Sequence, residues 1–326
     1  MYLEDLKFSL WADFIEREYL DNEFRDLVKD KIVNGATSNP AIFKNAILTS
    51  NAYKDQLSGL TLLTPKEKYE AVAIYDIQKA ADILKPLYEI GDDGYVSIEV
   101  DPFLCDDAEA TIAEGERLYK EIDRKNVMIK VPATQAGYEA MRVLSSKGIP
   151  VNATLIFKKD QALRCAEAFR EGARAYGTKV DTVISVFVSR IDRALDVILS
   201  KNGIDTALSG IYNSADIYAE IQKMNVEGCR VLFASTGVKD DSLAAHYYIE
   251  KLLAYNSVNT APVDTIKAFH ANGEKKAALP IDSKIIAEHF KKIKSLDIDL
   301  QSVLDKQIDD GLKSFKDAFR DILESL

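Results

Sequence analysis

Eight short apolar runs, spaced by helical patterns, limit what this chain can fold into. They are Phe8–Asp13, Ile32–Asn39, Tyr95–Asp101, Asn126–Val131, Pro150–Ile156, Thr182–Phe187, Arg230–Ser235 and Ser257–Ala261. Between them lie helical stretches such as Ala108–Ile122, Gly137–Ser145, Lys159–Ala175, Arg190–Leu199 and Leu243–Ala254. Parallel neighbours need a long crossover, so strand–helix–strand in series predicts a parallel sheet. Eight such units predict an α/β fold of one kind, the closed (β/α)8 TIM barrel. A doubly wound open sheet is the other arrangement. It loses its main support because no G-x-G-x-x-G follows any of the runs.

Two segments exceed what a barrel needs. After strand two, Pro40–Gly94 carries additional helices, with a helical pattern over Lys66–Tyr88. At the C-terminus, Leu304, Ile308, Leu312, Phe315, Phe319 and Ile322 recur at helical spacing within Leu300–Leu326. That stripe is expected to pack against the barrel as core. No Pro/Ser-rich linker or low-complexity tract interrupts the 326 residues, so one domain is expected.

Composition narrows the function. A net charge of −10 argues against nucleic acid and anionic membranes as partners, while leaving room for a small basic pocket. No apolar stretch approaches the ~20 residues of a spanning helix, and the first residues lack the order of a signal peptide. Cys105, Cys165 and Cys229 are scattered and odd in number, which predicts a reducing compartment, the cytoplasm. His246, His270 and His289 show no metal-ligand spacing, so we expect no metal, no cofactor and no His-centred triad. Either a monomer or a homodimer is compatible with these features.

Polar residues interrupt one face of several strands near their C-terminal ends. Residues two apart share a face. Ser97 and Glu99 oppose Val96, Ile98 and Val100. Asn152, Thr154 and Ile156 oppose Ala153, Leu155 and Phe157. Ser9, Trp11 and Asp13 oppose Leu10 and Ala12. Thr37 lies with Asn39, Ser185 with Phe187, and Lys130 with Met128. Taken singly, each polar residue could merely satisfy a backbone group. Convergence at one barrel mouth would gather Asp13, Asn39, Glu99, Lys130, Asn152, Thr154 and Ser185.

Lys130 closes the otherwise apolar run Asn126-Val127-Met128-Ile129-Lys130-Val131-Pro132, and Pro132 ends it because proline donates nothing to a ladder. Two readings fit. The stem can pack while the head reaches water. Alternatively, burial yields a neutral amine that is nucleophilic toward carbonyls. Burial favours that free amine, and ionised Asp13 and Glu99 nearby would oppose it. With two carboxylates and several hydroxyl-binding groups, the amine completes an inventory for Schiff-base chemistry on a polyhydroxylated substrate.

The same residues carry a family resemblance. Trp11-Ala12-Asp13, Ala36-Thr37-Ser38-Asn39-Pro40, Val96 to Asp101 and Ile129 to Thr134 run in family order. Val151 to Phe157, Ile184 to Arg190 and Val258-Asn259-Thr260 continue it over most of the chain. The chain resembles the transaldolases, within the class I Schiff-base aldolase superfamily. The resemblance implies that Lys130 attacks the C2 carbonyl of a ketose phosphate, that Glu99 moves protons through a water, and that Asp13 takes the C4 hydroxyl proton. It further implies that Asn39, Asn152, Thr154 and Ser185 hold hydroxyls and the catalytic water, that Phe187 shapes the wall, and that sugar phosphates are the partners. Arg190, opening the helix after strand six, either holds phosphate or is a surface arginine beside Asp192. Many relatives carry a second phosphate arginine after strand seven. This chain reads Ala234-Ser235-Thr236-Gly237-Val238-Lys239 instead, so Ser235 and nearby amides would cradle phosphate, with Lys239 as cation or as a solvated loop lysine.

Overall fold

The computed structural model describes residues 2–239 and 242–326. Eight strands close into one barrel in sequence order: β1 (Ser9–Ala12), β2 (Gly35–Thr37), β3 (Val96–Glu99), β4 (Val127–Pro132), β5 (Val151–Ile156), β6 (Thr182–Phe187), β7 (Cys229–Ala234) and β8 (Ser257–Ala261). Every neighbouring pair is parallel, and β8 closes on β1. The expected (β/α)8 fold is therefore the observed one. Strand ladders are shorter than the apolar runs at β1, β2 and β3. Asn39, for example, leaves the ladder because its side-chain oxygen accepts from Ile42 N at 3.0 Å and caps the helix Pro40–Thr49. Pro40 suits the first helical position, where no N–H partner is needed.

Two apolar layers hold the barrel. The outer one joins residues such as Leu10, Ile98, Ile129, Ala153, Ile184 and Phe233 to the helices. An inner one contains Trp11, Met128, Leu155, Phe157, Val183, Phe187, Leu232 and Val258, together with Leu304 and Phe315 of the helix Leu300–Ser325. Trp11 fills the lower barrel, and its indole N–H donates to Asp93 at 2.8 Å. Gly35, its register partner on β2, makes room: a Cβ there would lie 2.6 Å from the indole nitrogen. The ring is fully buried and cannot retreat. Gly35→Ala is accordingly expected to cost about 1–3 kcal/mol by overpacking, as a drop in the urea midpoint with unchanged slope.

Strict alternation fails on β5. The ladder to β6 shifts register between Ala153 and Ile156, and Leu155 takes a positive φ of 59°. Ile156, expected beside Asn152 and Thr154, instead joins Ala153 in the outer layer. Leu155 joins Phe157 in the inner one. A bulge adds a residue, and every side chain beyond it changes face.

The expected helix Leu243–Ala254 is only Tyr247–Lys251. The helices Ser209–Met224, Val263–Asn272 and Ser283–Lys294 were not among the stretches read from periodicity. Additional helices after β2 include Pro65–Glu89, whose Tyr69 stands edge-on to Phe43 and to Phe319 of the C-terminal helix, with centroids 5.8 and 5.1 Å apart. Both additions to the barrel thus pack on each other at its C-terminal rim.

Candidate active site

Parallel register places the chemistry. Glu99 on β3 pairs with Lys130 on β4, and Lys130 pairs with Asn152 on β5. Three side chains therefore project inward at one level. Lys130 is 5 % exposed, and its Nζ donates to the Ser38 carbonyl at 2.9 Å. Ser38 is itself held, its hydroxyl donating to Ser97 O at 2.8 Å. The nearest Glu99 oxygen lies 3.5 Å from Nζ, an ion-pair separation longer than a strong hydrogen bond. Both Glu99 oxygens are buried with no hydrogen-bond partner among the described residues. Burial pushes the Glu99 carboxyl up to about 7; Lys130 acts to lower it and Asp13 to raise it further. Met128 beneath Lys130 and the Phe315 ring 5.8 Å from Nζ supply the apolar surroundings.

A cavity of about 180 Å³ opens above these residues. It brings together Asp13, Asn39, Lys130, Thr154, Ser185, Phe187, Arg190, Ser235 and Lys239, nine of the residues singled out from sequence. Glu99 and Asn152 do not reach its wall. They form the layer beneath, where Ser185 Oγ donates to Asn152 Oδ1 at 2.6 Å and Asn152 Nδ2 donates to Ser97 Oγ at 3.2 Å. Thr154 lines the cavity, and its Oγ1 is buried with no hydrogen-bond partner among the described residues. Such a hydroxyl is available to a polar ligand. Asp13 is oriented by Thr37, whose hydroxyl donates to Asp13 Oδ1 at 2.6 Å and lies 2.7 Å from the Thr260 hydroxyl.

At the rim, Arg190 sits in the first turn of the helix Ser189–Lys201, with its guanidinium carbon 5.2 Å from the Phe187 ring centroid. Asp192 is not its partner. That carboxyl turns away, accepting from Gly210 N at 2.7 Å and from Tyr248 Oη at 2.9 Å. Burial and the neighbouring Arg193 hold Arg190 below the usual arginine range, against Asp310 and Asp13. Ser235 adopts a positive φ of 57°, and its hydroxyl lies 3.1 Å from that of Ser189. Lys239 is exposed at the mouth, beside residues 240 and 241, which lie outside the described part.

Sequence reasoning missed Thr37 and Thr260 as site residues, although the two-residue alternation of β2 and β8 carries the signal for both. It also missed Ser314 and Phe315. The C-terminal stripe does pack as core, and its Phe315 also forms part of the cavity wall. Ser38 acts through its carbonyl, for which side-chain patterns give no sign. Among the described residues no group of three or more His, Cys, Asp and Glu could hold a metal ion, and no helix is long and apolar enough to cross a membrane.

This arrangement offers a buried amine, a carboxyl whose protonation changes near neutrality, an oriented carboxylate and a cationic rim, which together suit imine chemistry on a phosphorylated carbonyl compound. Comparison with known proteins agrees. The sequence model described as Transaldolase/Fructose-6-phosphate aldolase matches residues 10–326. A protein of Campylobacter jejuni subsp. jejuni serotype O:23/36 (strain 81-176) named transaldolase is 46% identical over 330 residues, covering 98% of this chain and 99% of that protein. One of Helicobacter pylori (strain Shi470) with the same name is 42% identical over 320 residues, with the same coverage. With the match running almost from end to end, the chain belongs to the transaldolase/fructose-6-phosphate aldolase family.

Proposed function

We propose that this chain transfers a dihydroxyacetone unit from a ketose phosphate, sedoheptulose 7-phosphate or fructose 6-phosphate, to an aldose phosphate, glyceraldehyde 3-phosphate or erythrose 4-phosphate. The carrier is an imine on Lys130. One observation supports this above others: Lys130 Nζ is buried 3.5 Å from Glu99 and opens into the cavity that Asp13 lines. A plain binding site has no use for an amine placed so.

In the proposed sequence, Lys130 attacks the C2 carbonyl and gives a carbinolamine. Glu99, acting through a water because it does not reach the cavity wall, supplies the proton with which the C2 oxygen leaves as water, forming the iminium; a carboxyl near 7 gives up and takes back protons at little cost. Asp13 accepts the proton of the C4 hydroxyl as the C3–C4 bond breaks. The electron pair of that bond passes into the iminium, leaving an enamine on Lys130 and a free aldose phosphate. A second aldehyde adds at C3, taking back the proton from Asp13, and water releases the new ketose. Asn39, Thr154 and Ser185 hold hydroxyls, Asn152 fixes Ser185, Phe187 shapes the wall, and Arg190 with Ser235 and Lys239 receives the phosphate. Met128 and Phe315 keep bulk water from the enamine.

Transfer and simple cleavage differ in one measurable quantity. With fructose 6-phosphate alone, dihydroxyacetone should appear slowly. With an acceptor aldehyde phosphate present, ketose product should form at least about tenfold faster than dihydroxyacetone is released. Dihydroxyacetone release at the same rate with and without acceptor would identify an aldolase instead.

A further inference from the structure

Of the N–H bonds on the Lys130 amine, only one outlives the chemistry. A neutral amine carries two. Attack on a carbonyl forms the N–C2 bond and passes one proton to the carbonyl oxygen, so the carbinolamine nitrogen keeps one. Loss of water to the iminium leaves that N–H in place, and so does passage of the C3–C4 electron pair into the enamine. Lys130 is buried, and a buried donor left without an acceptor is costly.

Two acceptors lie near Nζ. The Ser38 carbonyl is 2.9 Å away and the nearest Glu99 oxygen 3.5 Å. Among the described residues, Nζ is the only donor which that carbonyl has. Ser38 is fully buried, and its peptide is held on both sides. The β2 ladder ends at Thr37, paired with Ser97, and the Ser38 hydroxyl then folds back to donate to Ser97 O at 2.8 Å. Asn39 is extended (φ −156°, ψ 168°), as the following Pro40 favours, and its side chain is fixed on Ile42 N. The carbonyl cannot turn away from the amine without breaking one of these anchors.

We propose that the Ser38 carbonyl is the standing acceptor of the Lys130 N–H from carbinolamine to enamine, and that the Ser38 hydroxyl is the positioning group that keeps it there. The role rests on the transfer reaction proposed above. It has two consequences. An iminium N–H lies in the plane of its C=N bond, so a fixed acceptor fixes that plane. The C3–C4 bond releases its electrons only when it stands perpendicular to the plane, and the carbonyl thereby selects the substrate rotamer that is cleaved. The second consequence concerns Glu99, which is not needed as the partner of the nitrogen. Both its oxygens lack a hydrogen-bond partner among the described residues and stay free to exchange protons with a water.

Two probes separate the imine from binding. Borohydride trapping at subsaturating fructose 6-phosphate reads the fraction of Lys130 held as imine. The alcohol made by reducing fructose 6-phosphate has no carbonyl, and its calorimetric affinity reads binding alone. Ser38→Ala releases the carbonyl and should lower the trapped fraction and kcat by about tenfold, on the scale of a hydrogen bond to a charged group. Affinity for the alcohol should change less than about twofold, which a general loosening of the site would not permit. Ser38→Thr keeps the hydroxyl and should return the trapped fraction to within about threefold of the parent. An ester in place of the 38–39 amide, installed with the α-hydroxy analogue of Asn39, weakens the carbonyl as an acceptor while keeping its shape. It should lower the trapped fraction by about threefold. An unchanged fraction in the ester protein, or a Ser38→Ala loss matched by an equal loss of alcohol affinity, would overturn the assignment. If the parent itself gives no adduct, the transfer reaction falls and this role with it. If the parent gives one and Ser38→Ala keeps it in full, only the role of Ser38 falls.

Discussion

Lys130→Met is expected to abolish turnover, lowering kcat by roughly 10⁴–10⁶-fold, the scale seen when a covalent nucleophile is removed. Folding should survive. Lys130 and Glu99 are a buried ion pair, and removing one partner of such a pair normally strands a charge at a cost of about 3–5 kcal/mol. Glu99 escapes this because its carboxyl already titrates at about 7, and loss of Lys130 removes the influence that lowers it. It stays protonated, and the Met side chain packs on Met128 and Phe315 where the lysine stem lay. Thermal melts near pH 6 should therefore change little while activity vanishes. Substantial residual activity would mean that the amine is not the nucleophile. A barrel that fails to fold would mean that Glu99 remains charged.

Glu99→Gln separates proton transfer from binding. Imine formation, followed by stopped flow, should slow by about 10²–10⁴-fold with substrate affinity nearly retained. The ionisation near pH 7 in the parent's kcat/KM profile should disappear with it. Stability moves in the opposite direction. The folded pKa of about 7 lies above the ordinary 4.5, so the contribution of Glu99 is fully present below 4.5 and is lost as pH rises through 7. Glutamine does not titrate. The variant should thus match the parent near pH 4 and gain on the order of 1–3 kcal/mol by pH 8, read as a higher melting temperature. Loss of stability at the higher pH would show that the carboxylate is held by more than the 3.5 Å contact to Lys130.

Much of this molecule is legible from residue order because two periodicities do the work. Strand–helix alternation gives the barrel, and two-residue alternation puts Asp13, Asn39, Lys130, Thr154 and Ser185 around one cavity. Where alternation breaks, legibility stops. The bulge at Leu155 sends Ile156 outward, and nothing in Ala153-Thr154-Leu155-Ile156 marks an extra residue. Depth is a second blind spot. Glu99 and Asn152 are in register with Lys130 on the inward face, yet of the three only the long lysine side chain reaches the cavity wall, so reach and not alternation decides which side chains meet a ligand. Contributions from distant sequence are a third. Phe315 reads as one more apolar position in a helical stripe, and only the packing of the C-terminal helix across the barrel rim brings it within 5.8 Å of Lys130 Nζ.

The central claim is that Lys130 carries the three-carbon unit as an imine. Incubating the protein with fructose 6-phosphate, reducing with borohydride and mapping the modified peptide by mass spectrometry tests it most directly. The account predicts a dihydroxyacetone-derived adduct on Lys130 and on no other lysine, absent from Lys130→Met. No adduct, or one on a different lysine, would contradict it.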